Sequence, residues 1–514
     1  DDPSQRVRLA SVLVRQGKRQ EAARQVKAAG ELPQDQLLSA GEVLLDAFEP
    51  EAAVSYLKKA TAGPRTAELA KHRLGLALLF VGKYGEAEQV LAPLAVSAPG
   101  DASLQYLLGA AIRLSGDLSR LPEAAEHLRQ AATLKPDSPS FAYELALAYV
   151  QLRDWEQARE AMEKAAALKA NLAEVQRDLH RLYLRAGERS RSAIARSRYL
   201  RLVGDAPGAV RELERLTRDH PDDVPLALEL AEAYYDNWET PKTLSLLQSL
   251  ERRRPSDPEV LAAVFRGERA ANHEEKALAG LERLAALRPE HQELDDQRAD
   301  LLLRLGRYAE LEALQTRLRD RDSRNPARHY ALGVTLAQWS ERPDRDEAAE
   351  ACFREAIRLQ PDFADAHYRL GLMLERRGQS EEAIASLRRA LDLAPKMVDA
   401  LRALGRVYAL VGDQDRSQET FQIYRRLAAV EEERKRLEMP ATLHRATPAE
   451  HRALGLFYVR TGRFEAAAAE LEAAAHANPE DREVRKTLMA LYGHLQRFQR
   501  HYEERQALAE RKKP

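Results

Sequence analysis

Residues 370–395 read LGLMLERRGQSEEAIASLRRALDLAP, with the skeleton Leu370-Gly371, Leu374, Gly378, Ala383, Leu387, Ala390 and Pro395. The same skeleton returns at identical spacing as Leu74-Gly75, Leu78, Gly82, Ala87, Leu91, Leu94 and Pro99. A third copy is Leu454-Gly455, Tyr458, Gly462, Ala467, Leu471, Ala474 and Pro479. Leu370, Gly371 and Leu374 share one helical face, and Ala383, Leu387 and Ala390 share another, which predicts two amphipathic helices of about three to four turns each. Gly371 and Ala383 are small where the two helices must approach closely. Gly378 sits where a helix end calls for a left-handed residue. Pro395 stops the second helix, because proline lacks the N–H donor and clashes with the preceding turn.

Weaker copies surround these three. Gly41, Gly75 and Gly109 stand 34 residues apart, and so do Ala231, Phe265, Ala299 and Gly333. Helix starts are marked as well: Thr447-Pro448-Ala449-Glu450 is a capping box with proline at the first helical position, and Asp257-Pro258 and Asn325-Pro326 repeat the cap-then-proline logic. At these residues the chain resembles the tetratricopeptide repeat (TPR) family, over nearly its whole length. The resemblance implies an all-α fold, a right-handed superhelical solenoid of antiparallel helix hairpins, roughly 13 or 14 of them at the family period. It implies protein binding through the concave groove and little more about function.

Departures from the period carry the finer expectations. Ala146 and Ala231 are 85 residues apart, two and a half periods, so one helix near residues 173–205 is extra. An odd helix turns the stack, and it divides the chain into an N-terminal subsolenoid at 1–187 and a C-terminal one at 188–514. Gly405 and Gly455 are 50 residues apart. With neither glycine nor proline between Gln414 and Leu437, the spacing predicts a long helix there that projects from the solenoid. A loop then spans residues 439–446. Residues 494–513 carry Leu495, Phe498, Tyr502 and Leu508 and read as a C-terminal capping helix.

Composition bounds the partners. The 514 residues carry 80 Lys and Arg against 81 Asp and Glu, a net charge of −1, which excludes a chain-wide affinity for polyanions. A single cysteine, Cys352, excludes an internal disulfide framework. The longest apolar run, residues 74–81, falls far short of the roughly 18 residues a membrane span needs. The chain begins at Asp1, which leaves periplasmic or exported and cytoplasmic locations both open. Its Ala-rich, Arg-over-Lys usage suggests a bacterial source.

No catalytic, cofactor or metal site is expected. His273-Glu274-Glu275 lacks the second histidine of a zinc helix, since Ala277 stands there. His494 and His501 share a helical face two turns apart, but surface histidines on an amphipathic helix are the commoner reading. The protein reads as non-enzymatic.

Contact residues are sought in the groove that the family uses, on first-helix positions not spent on hairpin packing. Phe80, Tyr106, Tyr143 and Leu147 in the N-terminal part, and Tyr330 and Tyr368 further on, form an apolar and aromatic wall suited to a partner helix or extended peptide. The alternative is that they pack within the solenoid or against a terminal helix. Arg177, Arg181, Arg185, Arg198 and Arg201 form a basic stretch able to grip acidic protein, phosphate or nucleic acid. Nucleic acid is the weaker reading, because only Tyr183 and Tyr199 offer stacking surfaces among them. The family's clamp for a C-terminal carboxylate pairs asparagines with lysines on neighbouring first helices, and this chain brings none together. The reading is a scaffold or assembly subunit holding partner proteins, within a bacterial multi-subunit complex. The alternative is a regulatory or targeting subunit of an enzyme encoded elsewhere.

Overall fold

A computed structural model of the chain describes residues 2–63, 66–169, 171–289, 291–442, 446–495 and 497–510. Among the described residues every regular element is helical: 29 α-helices and one 3₁₀ turn at Leu118–Arg120. The helices pair as antiparallel hairpins in the predicted register. In the hairpin of Ala364–Arg376 and Ser380–Leu393, a Cβ built on Gly371 would lie 2.7 Å from Leu387 Cγ, so the backbones approach where the sequence placed glycine opposite leucine. Gly75 meets Leu91 and Gly455 meets Leu471 in the same way.

Most turns inside the hairpins use a residue at positive φ, although the one between Pro326–Gln338 and Arg345–Leu359 does not. Gly378 supplies it at 74°. Where the sequence offers no glycine, Phe48, Arg153, Trp238 and Asn272 take the left-handed conformation themselves, at φ between 57° and 63°. The tertiary contacts of the repeat thus outweigh the local steric cost of roughly 1–2 kcal/mol.

The chain forms two compact units, residues Asp1–Trp238 with Leu437–Pro514, and residues Glu239–Arg436. This differs from the expected division at 187/188. The extra helix was expected near residues 173–205; with 29 helices among the described residues one is left over from pairing, and taking Ala173–Arg185 with Arg189–Leu202 as a hairpin leaves Ala206–Asp219. It packs on both Arg189–Leu202 and Val224–Asp236, and those two touch each other, so the stack runs through this point without a boundary. What the sequence did not announce is that the last helices belong with the first.

In the first unit a continuous core runs from Val7 to Ala195 and takes in Phe498 from the C-terminal segment. The C-terminal segment has its own core, built from Leu454, Phe457, Leu471, Leu488, Leu491 and Tyr492. The second unit has cores around Leu261 to Leu318 and around Leu332 to Tyr408.

The long helix is present at Gln414–Thr442. It continues through Met439 and Pro440, so the expected loop does not begin at 439, and residues 443–445 lie outside those described. Nor does its end project: Leu437 and Ala441 pack against the core of the C-terminal segment, and Glu438 accepts a 2.6 Å hydrogen bond from the Tyr458 hydroxyl. No helix among the described residues is long and apolar enough to cross a membrane.

Candidate interaction surfaces

In the first unit the helices Ala67–Val81, Ala102–Ser115 and Pro139–Leu152 stand side by side and present Phe80, Tyr106, Tyr143 and Leu147 as the sequence predicts. These residues are not open to a partner. All four are buried, Tyr106 completely, and the C-terminal helix Phe498–Glu510 packs on Phe80 and Tyr106. The Phe498 ring is 5.4 Å from Tyr106 and 5.8 Å from Phe80, and Tyr106 stacks at 4.3 Å on Phe141. His501 lies 5.6 Å from the Phe80 ring. The alternative of packing against a terminal helix is therefore the observed one. Apolar rings left in a trough gain roughly 1.5–3 kcal/mol each on burial, and the chain supplies its own cover.

Charged pairs set the register of that cover. Arg113, with its side chain 1% exposed, donates to Glu144 at 2.5 and 3.0 Å and to the Gln499 carbonyl oxygen at 3.2 Å. Glu144 also accepts from the Gln499 backbone N–H at 3.3 Å, near the start of the helix. Arg177 donates to both Glu503 oxygens, at 3.1 and 3.2 Å. Burial opposes ionisation of Glu503, but Arg177 overrides it and holds the carboxyl down at about 2. Tyr143 donates its hydroxyl to Asp178 at 2.9 Å, and burial raises its pKa well above the ordinary phenol. His501 is pushed down to about 4, by burial first and by Arg505 second. Glu174 Oε2 and Arg500 Nε are buried here without a hydrogen-bond partner.

The same segment is held at a second place. Arg19 donates to the Val459 carbonyl at 2.8 Å and lies over the Phe464 ring at 4.7 Å, while His494 packs edge-on to Phe464 at 4.3 Å. A Cβ at Gly17 would run into the Arg460 carbonyl oxygen, so glycine is needed there for contact as well as for its φ of 77°.

The basic stretch is paired internally. Arg177 serves Asp178 and Glu503, and Arg181 reaches Asp178 at 3.1 Å. Arg185 lies on the Trp155 ring at 3.9 Å. Arg198 and Arg201 converge on the buried Glu229, each at 2.9 Å, and Arg201 also reaches Asp236 at 2.5 Å. Arg198 and Arg201 looked like a free patch because their acidic partners sit 28 to 35 residues away, on the next repeat.

The second unit repeats the aromatic step, and among its described residues no terminal helix lies on it. Tyr330 lies 5.0 Å from Phe363 and 5.9 Å from Phe353, as Tyr106 lies on Phe141, yet Tyr330 and Tyr368 stay half-buried. Tyr368, Leu372 and Arg376 follow at four-residue steps along Ala364–Arg376, hence on one face. Leu372 lines a trough of about 810 Å³ together with Arg376, Arg406, Leu410 and Phe421. Leu410 is 70% exposed. Cys352, the lone thiol, is half-buried, and burial raises its pKa. No group of three or more His, Cys, Asp or Glu placed to hold a metal occurs among the described residues.

Comparison with known proteins agrees with the repeat. Two sequence models, each described as a tetratricopeptide repeat, match the chain, one at residues 72–139, 345–398 and 376–432 and the other at 117–191. No curated protein matches. Among solved structures the chain is similar to the APC/C hetero-tetramer Cut9-Hcn1, at 14% identity over 90% of this chain and 97% of that one, TM-score 0.29. It is also similar to MamA from Desulfovibrio magneticus RS-1, at 18% identity over 34% of this chain and 97% of that one, TM-score 0.29. A further likeness is to YrrB, titled a TPR protein with an unusual peptide-binding site, at 16% identity over 35% and 91%, TM-score 0.27. Superpositions this loose carry no argument of their own. The thrice-repeated skeleton, the hairpins it builds and the matched repeat models show that the chain carries tetratricopeptide repeats.

Proposed function

We propose that the protein is a non-catalytic scaffold that takes a partner protein along the first-helix face of residues 239–436, as a component of a multi-subunit assembly. The observation that carries this is the apolar trough lined by Leu372, Leu410 and Phe421, one turn from Tyr368 along its helix, with Leu410 standing 70% exposed. An exposed leucine next to half-buried aromatic rings is surface that a partner helix or extended peptide covers favourably. Arg376 and Arg406 at the rim add donors, though Arg406 already meets Glu375 at 2.9 Å, so acidic groups on the partner would add less than apolar ones. What weighs against a polyanion ligand is that Arg177, Arg181, Arg198 and Arg201 each face a carboxylate.

The test is affinity capture from the native source, comparing the unaltered chain with Tyr368→Ser, Leu372→Asp and Leu410→Asp combined. Loss of the captured proteins, at unchanged helicity, supports the reading. Capture of the same set in the same amounts overturns it.

A further inference from the structure

The first unit shows what a groove of this chain accepts, because one is filled. Its occupant is a single terminal helix, Phe498–Glu510, and of that helix only Phe498 enters the main core. His501 and Tyr502 add ring contacts with Phe80 and Tyr84, Leu508 is buried, and the remaining contacts are polar. Gln499 meets Arg113, Glu503 meets Arg177, and the neighbouring Arg497 approaches Glu174 at 3.6 Å. Two buried polar atoms, Glu174 Oε2 and Arg500 Nε, are left without partners when the helix is seated. An interface of a few rings set among buried ion pairs is more polar than a core cut in half and has the composition of a releasable contact.

We propose that the groove lined by Phe80, Tyr106, Tyr143, Arg113 and Arg177 is a helix-binding site held shut by the chain's own helix Phe498–Glu510. It opens to a partner helix that carries an aromatic residue, a carboxamide directly after it and a carboxylate five positions on. The ring fills the place of Phe498 against Tyr106, the carboxamide answers Arg113, and the carboxylate forms the two-point pair with Arg177. Helical spacing puts ring and carboxylate within two turns of each other, which an extended peptide of the same composition does not reproduce. The site does not rest on the trough of the second unit and stands or falls separately from it.

The probe is a fluorescent peptide of residues 497–510, titrated into the full chain and followed by anisotropy. The tethered helix competes at high effective concentration, so the unaltered chain binds the peptide weakly. A full chain with Phe498→Ser binds it at least about ten-fold tighter. Adding Arg177→Glu to that chain abolishes binding of the peptide, and a peptide with Glu503→Arg restores it. Should Phe498→Ser lower the helical signal of the whole chain, Glu503→Arg in the full chain weakens the seated helix more gently and is measured in the same way. Equal binding by the unaltered and weakened chains overturns the proposal, as does no binding by either. A charge exchange that fails to restore binding overturns it too.

Discussion

The first helices Ala102–Ser115 and Ala364–Arg376 have the same role in their hairpins but differ in burial. The former buries every residue from Leu104 to Arg113, while the latter buries Ala366, Leu370, Gly371, Met373 and Leu374, a single stripe. One stripe is what hairpin packing consumes. The surplus on Ala102–Ser115 measures the cover laid over it by the C-terminal helix, and its absence on Ala364–Arg376 marks a face still available. A solenoid of near-identical units can therefore carry filled and open grooves, and the distinction lies in what returns to cover them.

That contrast can be broken from the covered side. Phe498→Ala removes the ring packed between Phe80 and Tyr106 and is expected to cost about 3–5 kcal/mol of docking. Hydrogen exchange should show lost protection in Phe498–Glu510 and in Ala102–Ser115, with Ala364–Arg376 unchanged. Arg177→Glu sets a third carboxylate beside Asp178 and Glu503 and should cost about 3 kcal/mol in the same measurement. Glu503→Arg in the same chain should recover part of it.

Acid acts in the same direction. His501 lines a cavity of about 110 Å³ with Glu51, His494, Arg505 and the Phe80 ring, and its pKa falls from 6.5 to about 4 when the helix is seated. The seated state then binds fewer protons than the released one. Its advantage is full above 6.5 and is lost as the pH falls toward 4, about 2 kcal/mol of it between pH 7 and pH 5. Glu503, held near 2 against an ordinary 4.5, removes further stability below 4.5. The buried Glu472, whose pKa burial raises, offsets part of this. Exchange in Phe498–Glu510 should accelerate over this range, and His501→Leu should flatten the part above pH 5. The smallest stability effect belongs to the open side. Leu410→Ser should change unfolding by less than about 1 kcal/mol, because the side chain is exposed, while reducing partner capture.

The hairpins were legible because each repeat writes its own packing in local spacing. Gly371 opposite Leu387, the left-handed Gly378 and the capping box at Thr447 all sit within one helix pair, and the structure has each of them. The extra helix was legible for the same reason, as a count that does not divide by the period. Tyr106 and Tyr143 lie on first helices, as their positions in the repeat imply. Their burial was not legible, since a groove residue under a cover and one awaiting a partner carry the same pattern. The arginines misled in a related way: Arg198 and Arg201 are near each other in sequence, but Glu229, which neutralises them, is one repeat further on. Leu495, Phe498, Tyr502 and Leu508 were readable as an amphipathic capping helix, but nothing in their spacing says which surface they cap.

By itself, then, the sequence determined the contacts whose two halves lie within one hairpin: the helices, most of their turns and the glycine–leucine crossings. The tertiary structure alone decided that residues 437–514 return to the first unit after the whole of Glu239–Arg436, and that one aromatic wall is thereby closed while the other is left open. Periodicity constrains neighbours in a one-dimensional stack. It carries no term for a contact between Tyr106 and Phe498, which depends on shape and charge complementarity that exist only once both partners have folded.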